Sequence, residues 1–322
     1  MCIGCWSFGG GEGSYWGPQA QADVDALADR ALGLGINFFD TAFGYNAGES
    51  EKALGHALAG RRQEAVICDK TPIIPREKLD GARDFIAEGC RRLGTDYIDI
   101  LMIHWPTKDR DLLIENLQAL EEIRKSGLVR ALGVSNFGVE TLQIAKGLGL
   151  KLVADELAYN LITRAIEYEI LPECLVQGIG ITAYMPLMQG ILTGKYAVPA
   201  DIPDERRRSY HFRCADNPKS RHGGEGFEDQ TMAVVRGIGE IAKGLGTDAS
   251  TVALAWVLAR PGVASAMVGC RNTAQVERNA ASCEFVLPQD ALDALDALTL
   301  PLRDILPRTP DLFAPLDASR VW

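Results

Sequence analysis

Four residues, Asp40, Tyr45, Lys70 and His104, could together move a proton to or from a carbonyl oxygen. Tyr45 stands five residues after Asp40 in DTAFGY, Lys70 follows the apolar run AVICD, and His104 lies between Ile103 and Trp105. A partly desolvated lysine beside a tyrosine stabilises tyrosinate and would lower the phenol pKa from its usual value of about 10. A short ion pair with Asp40 would hold Lys70 charged, and His104 could donate to a carbonyl oxygen or orient it. Tyr45 would then give its proton to that oxygen as hydride reaches carbon. Each residue alone has an ordinary explanation. Asp40 could cap a turn, Tyr45 could pack, Lys70 could be solvated, and His104 could be hydrogen-bonded in a core. All four, however, follow apolar runs that read as strands.

Those runs set the frame. Strands are expected near 2–6, 36–40, 65–69, 98–103, 129–134, 152–156, 179–184 and 263–268. Amphipathic stretches at 22–34, 76–93, 111–125, 140–148 and 167–177 alternate with them, followed by 229–243, 250–260 and 274–282. Crossover helices force parallel pairing, and runs apolar on both faces suit strands covered on both sides. Eight such units without a linker predict a single-domain (β/α)8 TIM barrel spanning 1–322, rather than an open sheet. In that fold the C-terminal strand ends carry the chemistry. Here those ends are Asp40, Asp69-Lys70, His104-Trp105, Ser135-Asn136, Asp155-Glu156, Tyr184 and Gly269-Cys270-Arg271-Asn272. The polar, Arg- and Gly-rich stretch 197–230 after the seventh strand reads as a lid or an inserted loop. Residues 288–322 form a C-terminal extension.

Composition narrows the function classes. The 322 residues are 47% hydrophobic and 24% charged with a net charge of −10, which argues against nucleic-acid binding. No run of eighteen apolar residues and no signal-peptide pattern is found, so no membrane partner and a cytoplasmic location are expected. Of eight cysteines only Cys2 and Cys5 are closely spaced, and with four histidines and no HExxH no metal is expected.

Motifs across most of residues 1–283 give the chain a family likeness. INFFDTAFGYNAGESEKALG (36–55), DYIDILMIHWP (96–106), GLVRALGVSNF (127–137), YNLITRAIEYEILPEC (159–174), ITAYMPLMQGILTGKY (181–196) and MVGCRNTAQVERN (267–279) occur in that order. The chain thereby resembles the aldo-keto reductases, in the branch of bacterial reductases and potassium-channel β subunits. The resemblance implies NADP(H), with NAD(H) possible, and a small carbonyl or alcohol substrate. It implies a tetrad of Asp40, Tyr45, Lys70 and His104, with Ser135 and Asn136 on the nicotinamide carboxamide and Tyr184 stacked on the ring. The segment from Met185 through Pro186, Leu187, Gln189, Gly190 and Gly194 to Lys195 would cradle the pyrophosphate, its glycines allowing close backbone approach. Gly269, Arg271, Gln275 and Asn279 would hold the adenosine end, with Arg271 at a 2′-phosphate. Trp6 would border the cofactor, and Trp16 and Trp105 would wall the substrate pocket. The cofactor would lie extended, without a Rossmann fingerprint.

Three departures accompany the likeness. Glu156 stands where the family usually has glutamine, so a carboxylate would either face the carboxamide, from which it could only accept, or be protonated or turned to a neighbouring basic residue. An initial hairpin that commonly plugs the barrel bottom is not seen, and Gly269 replaces a lysine at the 2′-phosphate site. Three functions remain in view: a carbonyl reductase, an enzyme running toward alcohol oxidation or through a redox-neutral cycle, and a cofactor-binding regulatory subunit. The oligomeric state is not legible.

Overall fold

A computed structural model describes residues 1–322. Eight parallel strands close into a barrel in sequence order: β1 (Cys2–Gly4), β2 (Phe38–Asp40), β3 (Val66–Thr71), β4 (Ile98–Ile103), β5 (Val129–Ser135), β6 (Leu152–Ala158), β7 (Gly180–Tyr184) and β8 (Val263–Gly269). The expected strands all form, with β1 and β2 shorter than their apolar runs. Pairing register aligns the rim: Asp40 lies beside Gly4 and Cys68, Thr71 beside Ile103, Ser135 beside Glu156, and Ala158 beside Tyr184.

Ten helices surround the strands: α1 (Gln21–Gly33), α2 (Glu49–Ala57), α3 (Ala82–Leu93), α4 (Arg110–Lys125), α5 (Val139–Gly147), α6 (Ile170–Gln177), α7 (Glu228–Gly244), α8 (Ala249–Leu258), α9 (Thr273–Glu284) and α10 (Gln289–Ile305). Their ends follow local chemistry. Asp109, Asp248 and Asn272 accept from the amides of Leu112, Thr251 and Gln275, capping α4, α8 and α9. Left-handed Gly94 and Gly178 end α3 and α6. On α3, Ala82, Ile86, Cys90 and Leu93 form one buried face against the barrel. Truncating Ile86 there would cost about 2–5 kcal/mol.

Two stretches lie outside the repeating units. The 197–230 loop is packed: Ser209, Tyr210, His211, Phe212, Asn217 and His222 are buried. His211 Nε2 lies 2.7 Å from Ile162 O, and Tyr210 Oη donates to Ala314 O at 2.8 Å. The extension after 288 begins as α10, docked by the buried Arg164, which donates to Asp296 (2.8 Å) and Thr299 (2.7 Å). The tail then runs back over the barrel mouth. Trp322 O accepts from Thr141 Oγ1 at 3.0 Å, resting where any side chain at Gly138 would collide with it.

Candidate active site

Side chains alternate across β3, so Asp69 points to the helices and Lys70 to the barrel interior. Inside, the Lys70 ammonium is fully buried. It donates to Asp40 Oδ1 at 2.5 Å and Thr41 O at 3.0 Å, and lies 3.3 Å from Glu156 Oε2. Burial opposes this charge, but Asp40 and Glu156 outweigh it and hold the lysine pKa above its ordinary value. Ligand-type atoms of Asp40, Cys68 and Glu156 come within 4.8 Å of one another. The cation between the two carboxyl groups is the lysine.

Above this cluster sits Tyr45, on the turn after β2, with Lys70 Nζ 5.2 Å from its ring centroid. Trp6 stacks on one side at 5.8 Å and His104 presents its ring edge-on at 5.6 Å. The four residues expected to act together are therefore brought together. One electrostatic expectation is overturned. The Tyr45 pKa is raised, not lowered, because burial exceeds the opposing effect of Lys70 and the Asp40 and Glu156 carboxyls add to the rise. Tyr45 is thus a protonated phenol at ordinary pH. His104 falls to about 3 through burial, with Lys70 and Arg320 adding to the drop, so its imidazole is neutral at ordinary pH.

The nicotinamide candidates form a closed network. Tyr184 Oη donates to Asn136 Oδ1 at 2.8 Å, and Asn136 Nδ2 donates to His104 O (3.1 Å) and Ser135 Oγ (2.9 Å). Ser135 Oγ and Asn136 N both reach Glu156 O, at 3.2 and 3.0 Å. Of the two orientations open to Glu156, the carboxyl group takes the one toward a neighbouring basic residue: it turns to Lys70 and Asp40, because the inward face of β6 at this height meets the lysine.

The segment after β7 bends through five left-handed residues: Met185 (φ 54), Met188 (φ 45), Gln189 (φ 53), Gly190 (φ 93) and Gly194 (φ 75). Alternating right- and left-handed backbone turns amides into one concavity, a nest suited to anions. Left-handed non-glycine residues are costly and cluster at functional sites. A Cβ at Gly190 would meet Lys195 Nζ at 3.0 Å, so the ammonium lies against this bend. These residues fit a pyrophosphate. Farther along, Arg271 is held by Trp16 O and, at 2.6 Å, Pro18 O; Gln275 Oε1 accepts from Arg271 N at 2.8 Å. Gly269 is exposed, whereas Asn279 is buried and its Nδ2 lies 3.2 Å from Cys270 Sγ.

The mouth around Trp6 and Trp105 holds residues not found by sequence reasoning. Tyr15 stacks on Trp6 at 4.7 Å and meets Trp16 edge-on at 4.9 Å. Its hydroxyl donates to Glu205 O at 2.7 Å and lies 3.2 Å from Gln189 Oε1, tying the first loop to the seventh. Its neighbour Trp16 was the only signal. Arg320, in the tail, lies 3.5 Å over the Trp105 ring while its Nε and Nη2 grip the buried Asp311 at 2.8 and 2.9 Å. No local pattern announces that pair.

Comparison with known proteins agrees with this geometry. The sequence model described as "Aldo/keto reductase family" matches residues 1–299. The chain belongs to the aldo/keto reductase family. Among its relatives, a putative voltage-gated potassium channel subunit beta of Schizosaccharomyces pombe is 33% identical over 289 residues, covering 84% of this chain and 82% of that one. The glycerol dehydrogenase of Gluconobacter oxydans is 27% identical with a TM-score of 0.77, over 92% of this chain and 90% of that chain. An aldo/keto reductase from Klebsiella pneumoniae, solved with NADP and acetate, is 25% identical with a TM-score of 0.70, over 98% and 94%. The aldo/keto reductase barrel is thus shared along nearly the whole chain. No helix is long and apolar enough to cross a membrane.

Proposed function

We propose that this aldo/keto reductase is an NADP(H)-dependent enzyme interconverting a small carbonyl compound and its alcohol, with Tyr45 as the proton donor and acceptor. The observation that carries the reading is the wholly buried Lys70 ammonium, ion-paired to Asp40 directly beneath Tyr45. What sets this pair apart is the hydroxyl-bearing Tyr45 placed over it, with the His104 ring beside that tyrosine. The cofactor, which supplies or accepts the hydride, would be held by the Met185–Lys195 nest, by Tyr184 and by Ser135 and Asn136. That the Klebsiella relative was solved with NADP supports the choice of nucleotide.

The residues divide the work. Neutral His104 donates to the carbonyl oxygen and fixes its direction. Tyr45 delivers its proton to that oxygen in reduction, and Lys70 stabilises the resulting phenolate across the short gap between them. Asp40 holds the ammonium in place. Trp6, Tyr15, Trp16 and Trp105 exclude water and offer apolar walls to the substrate.

Tyr45→Phe tests the assignment because it removes only the hydroxyl. Carbonyl reduction followed by NADPH absorbance should fall by about 10²–10⁴-fold, with NADPH affinity nearly unchanged. Retention of more than a tenth of wild-type kcat would remove Tyr45 from its role. A panel of sugars, ketones and aromatic aldehydes on the wild type, in both directions, separates an enzyme from a cofactor-binding subunit: no turnover with any of them would favour the latter.

A further inference from the structure

Glu156 adds a second carboxyl group to a lysine that a single carboxylate already holds. The Lys70 ammonium hydrogen-bonds Asp40 Oδ1 at 2.5 Å but stands 3.3 Å from Glu156 Oε2 without hydrogen-bonding it. Negative charge is therefore best placed on Asp40. Asp40 Oδ2 and Glu156 Oε2 are both buried and find no donor elsewhere in the protein. Oxygens of the two carboxyl groups lie within 4.8 Å of each other, close enough for one proton to serve both, whereas two carboxylates beside one ammonium leave an uncompensated buried charge.

The surroundings offer no second cation. The titratable groups facing Glu156 are Asp40 from β2, Tyr45 from the turn after it, Cys68 and Lys70 from β3, Cys2 from β1 and Tyr184 from β7. Lys70 alone among them is positive. Burial, then the Asp40 charge, accordingly pushes the Glu156 pKa well above the ordinary carboxyl range. The backbone carbonyl of the same residue accepts from Ser135 Oγ and Asn136 N, and Tyr184 lies within electrostatic reach of its side chain, so Glu156 borders the residues proposed to hold the nicotinamide.

We propose that Glu156 and Asp40 share one proton in the free enzyme and keep it with the reduced, uncharged nicotinamide, but release it when the oxidised, cationic ring binds. The inference rests on the nicotinamide-binding reading above. The proton leaves to solvent and no covalent bond changes. The ring's positive charge takes the place of the proton's, so the oxidised cofactor gains an attraction that a glutamine at this position could not give. Binding and deprotonation are reciprocally linked, and couplings between two such sites commonly amount to about 5–150-fold in affinity.

Calorimetric titration of NADP+ and NADPH into the wild type and Glu156→Gln, in buffers of different ionisation enthalpy near neutral pH, measures the protons exchanged. NADP+ binding should release close to one proton from the wild type and NADPH none. Glu156→Gln should release none with either, and its Kd(NADP+)/Kd(NADPH) ratio should rise at least about fivefold. A measurement on the wild type alone guards against a poorly folded variant. Difference infrared spectra should lose a protonated-carboxyl C=O band on adding NADP+ and keep it on adding NADPH. Equal proton exchange for the two cofactors, an unchanged ratio, or no band lost would overturn the proposal while leaving the enzyme reading intact. If neither cofactor form binds, both readings fall.

Discussion

Two neighbouring residues of one strand, Asp69 and Lys70, open onto two buried charge clusters that differ in what lies beyond them. Inside the barrel, Lys70 sits between Asp40 and Glu156 beneath Tyr45 and His104. Outside it, Asp69 meets the fully buried Glu51 of α2, and Arg92 of α3 reaches Glu51 at 2.9 Å while stacking over Phe43 at 3.9 Å. Each cluster has one cation and two carboxyl groups. The outer one is sealed: at Gly89 any side chain would crowd Glu51 Oε1 and Asp69 Oδ2, at 3.0 and 3.2 Å. The inner one opens through a tyrosine to the mouth. Buried charge by itself therefore does not mark the active site; a buried charge with a proton-carrying group between it and the substrate space does.

Removing each cation in turn gives the largest expected effect and tests this distinction. Lys70→Met should reduce turnover by about 10²–10⁴-fold, since Tyr45 can no longer leave its proton without support. Arg92→Met should leave turnover per folded molecule near wild type but lower stability by about 3–5 kcal/mol, the usual cost of stranding a buried carboxylate. Urea unfolding beside steady-state kinetics separates the two. If Arg92→Met abolished turnover while remaining folded, the outer cluster would have to join the site.

The outer pair also makes a pH prediction of intermediate size. Burial and the nearby Asp69 charge push Glu51 up to about 9 from its ordinary value of 4.5, against the pull of Arg92, so the pair retains a proton in the folded state. The folded chain then binds more protons than the unfolded chain between these values. Its stability should fall as pH rises from about 4.5 to about 9 and level off above that. Glu51→Gln, neutral throughout, should flatten that slope in thermal unfolding followed across pH. A slope unchanged in the variant would mean the pair is fully ionised at neutral pH.

How much of this was legible in the sequence follows from which contacts are local. The strands were readable because each is apolar on both faces, and the polar residues at or just after the ends of β2, β3 and β4 placed Asp40, Tyr45, Lys70 and His104 on one rim. Helix α2 was not read as a helix. Asn46, Ala47 and Gly48 enter it through left-handed turns (φ 47, 56 and 92), and its first turn buries Ser50 and Glu51, residues normally solvent-facing. The sense of the Tyr45 shift was misjudged because sequence shows a lysine nearby but neither the depth of burial nor a second carboxyl from β6. Glu156 was visible as a departure, yet its partners come from β2 and β3 and could not be inferred from its own strand. The 197–230 loop showed its arginines but not its anchors: Arg206 donates to Tyr196 Oη, Arg207 to Asp204 and Arg208 to Glu205 O, so each is engaged close by.

The smallest expected effect concerns the tail, which supplies the inner site with a charge the outer cluster lacks. Asp311 is fully buried and accepts from both Nε and Nη2 of Arg320 and from its backbone amide, so the guanidinium is held by a planar fork. That fork lays Arg320 on Trp105, the residue after His104, and its charge helps keep the imidazole neutral. Arg320→Ala would therefore loosen the substrate wall without touching the proton donor. KM for a good carbonyl substrate should rise roughly tenfold, the equivalent of one charge-assisted hydrogen bond of about 1.5 kcal/mol, with kcat at saturation largely retained. Arg320→Lys should recover little, because a point charge cannot reproduce both the bidentate grip and the flat stacking. Asp311→Asn, which keeps the shape of the anchor but removes its charge, should fall between the two. A loss confined to kcat in Arg320→Ala would instead assign the guanidinium to the reacting oxygen, and the tail would then belong to the catalytic group and not to the wall.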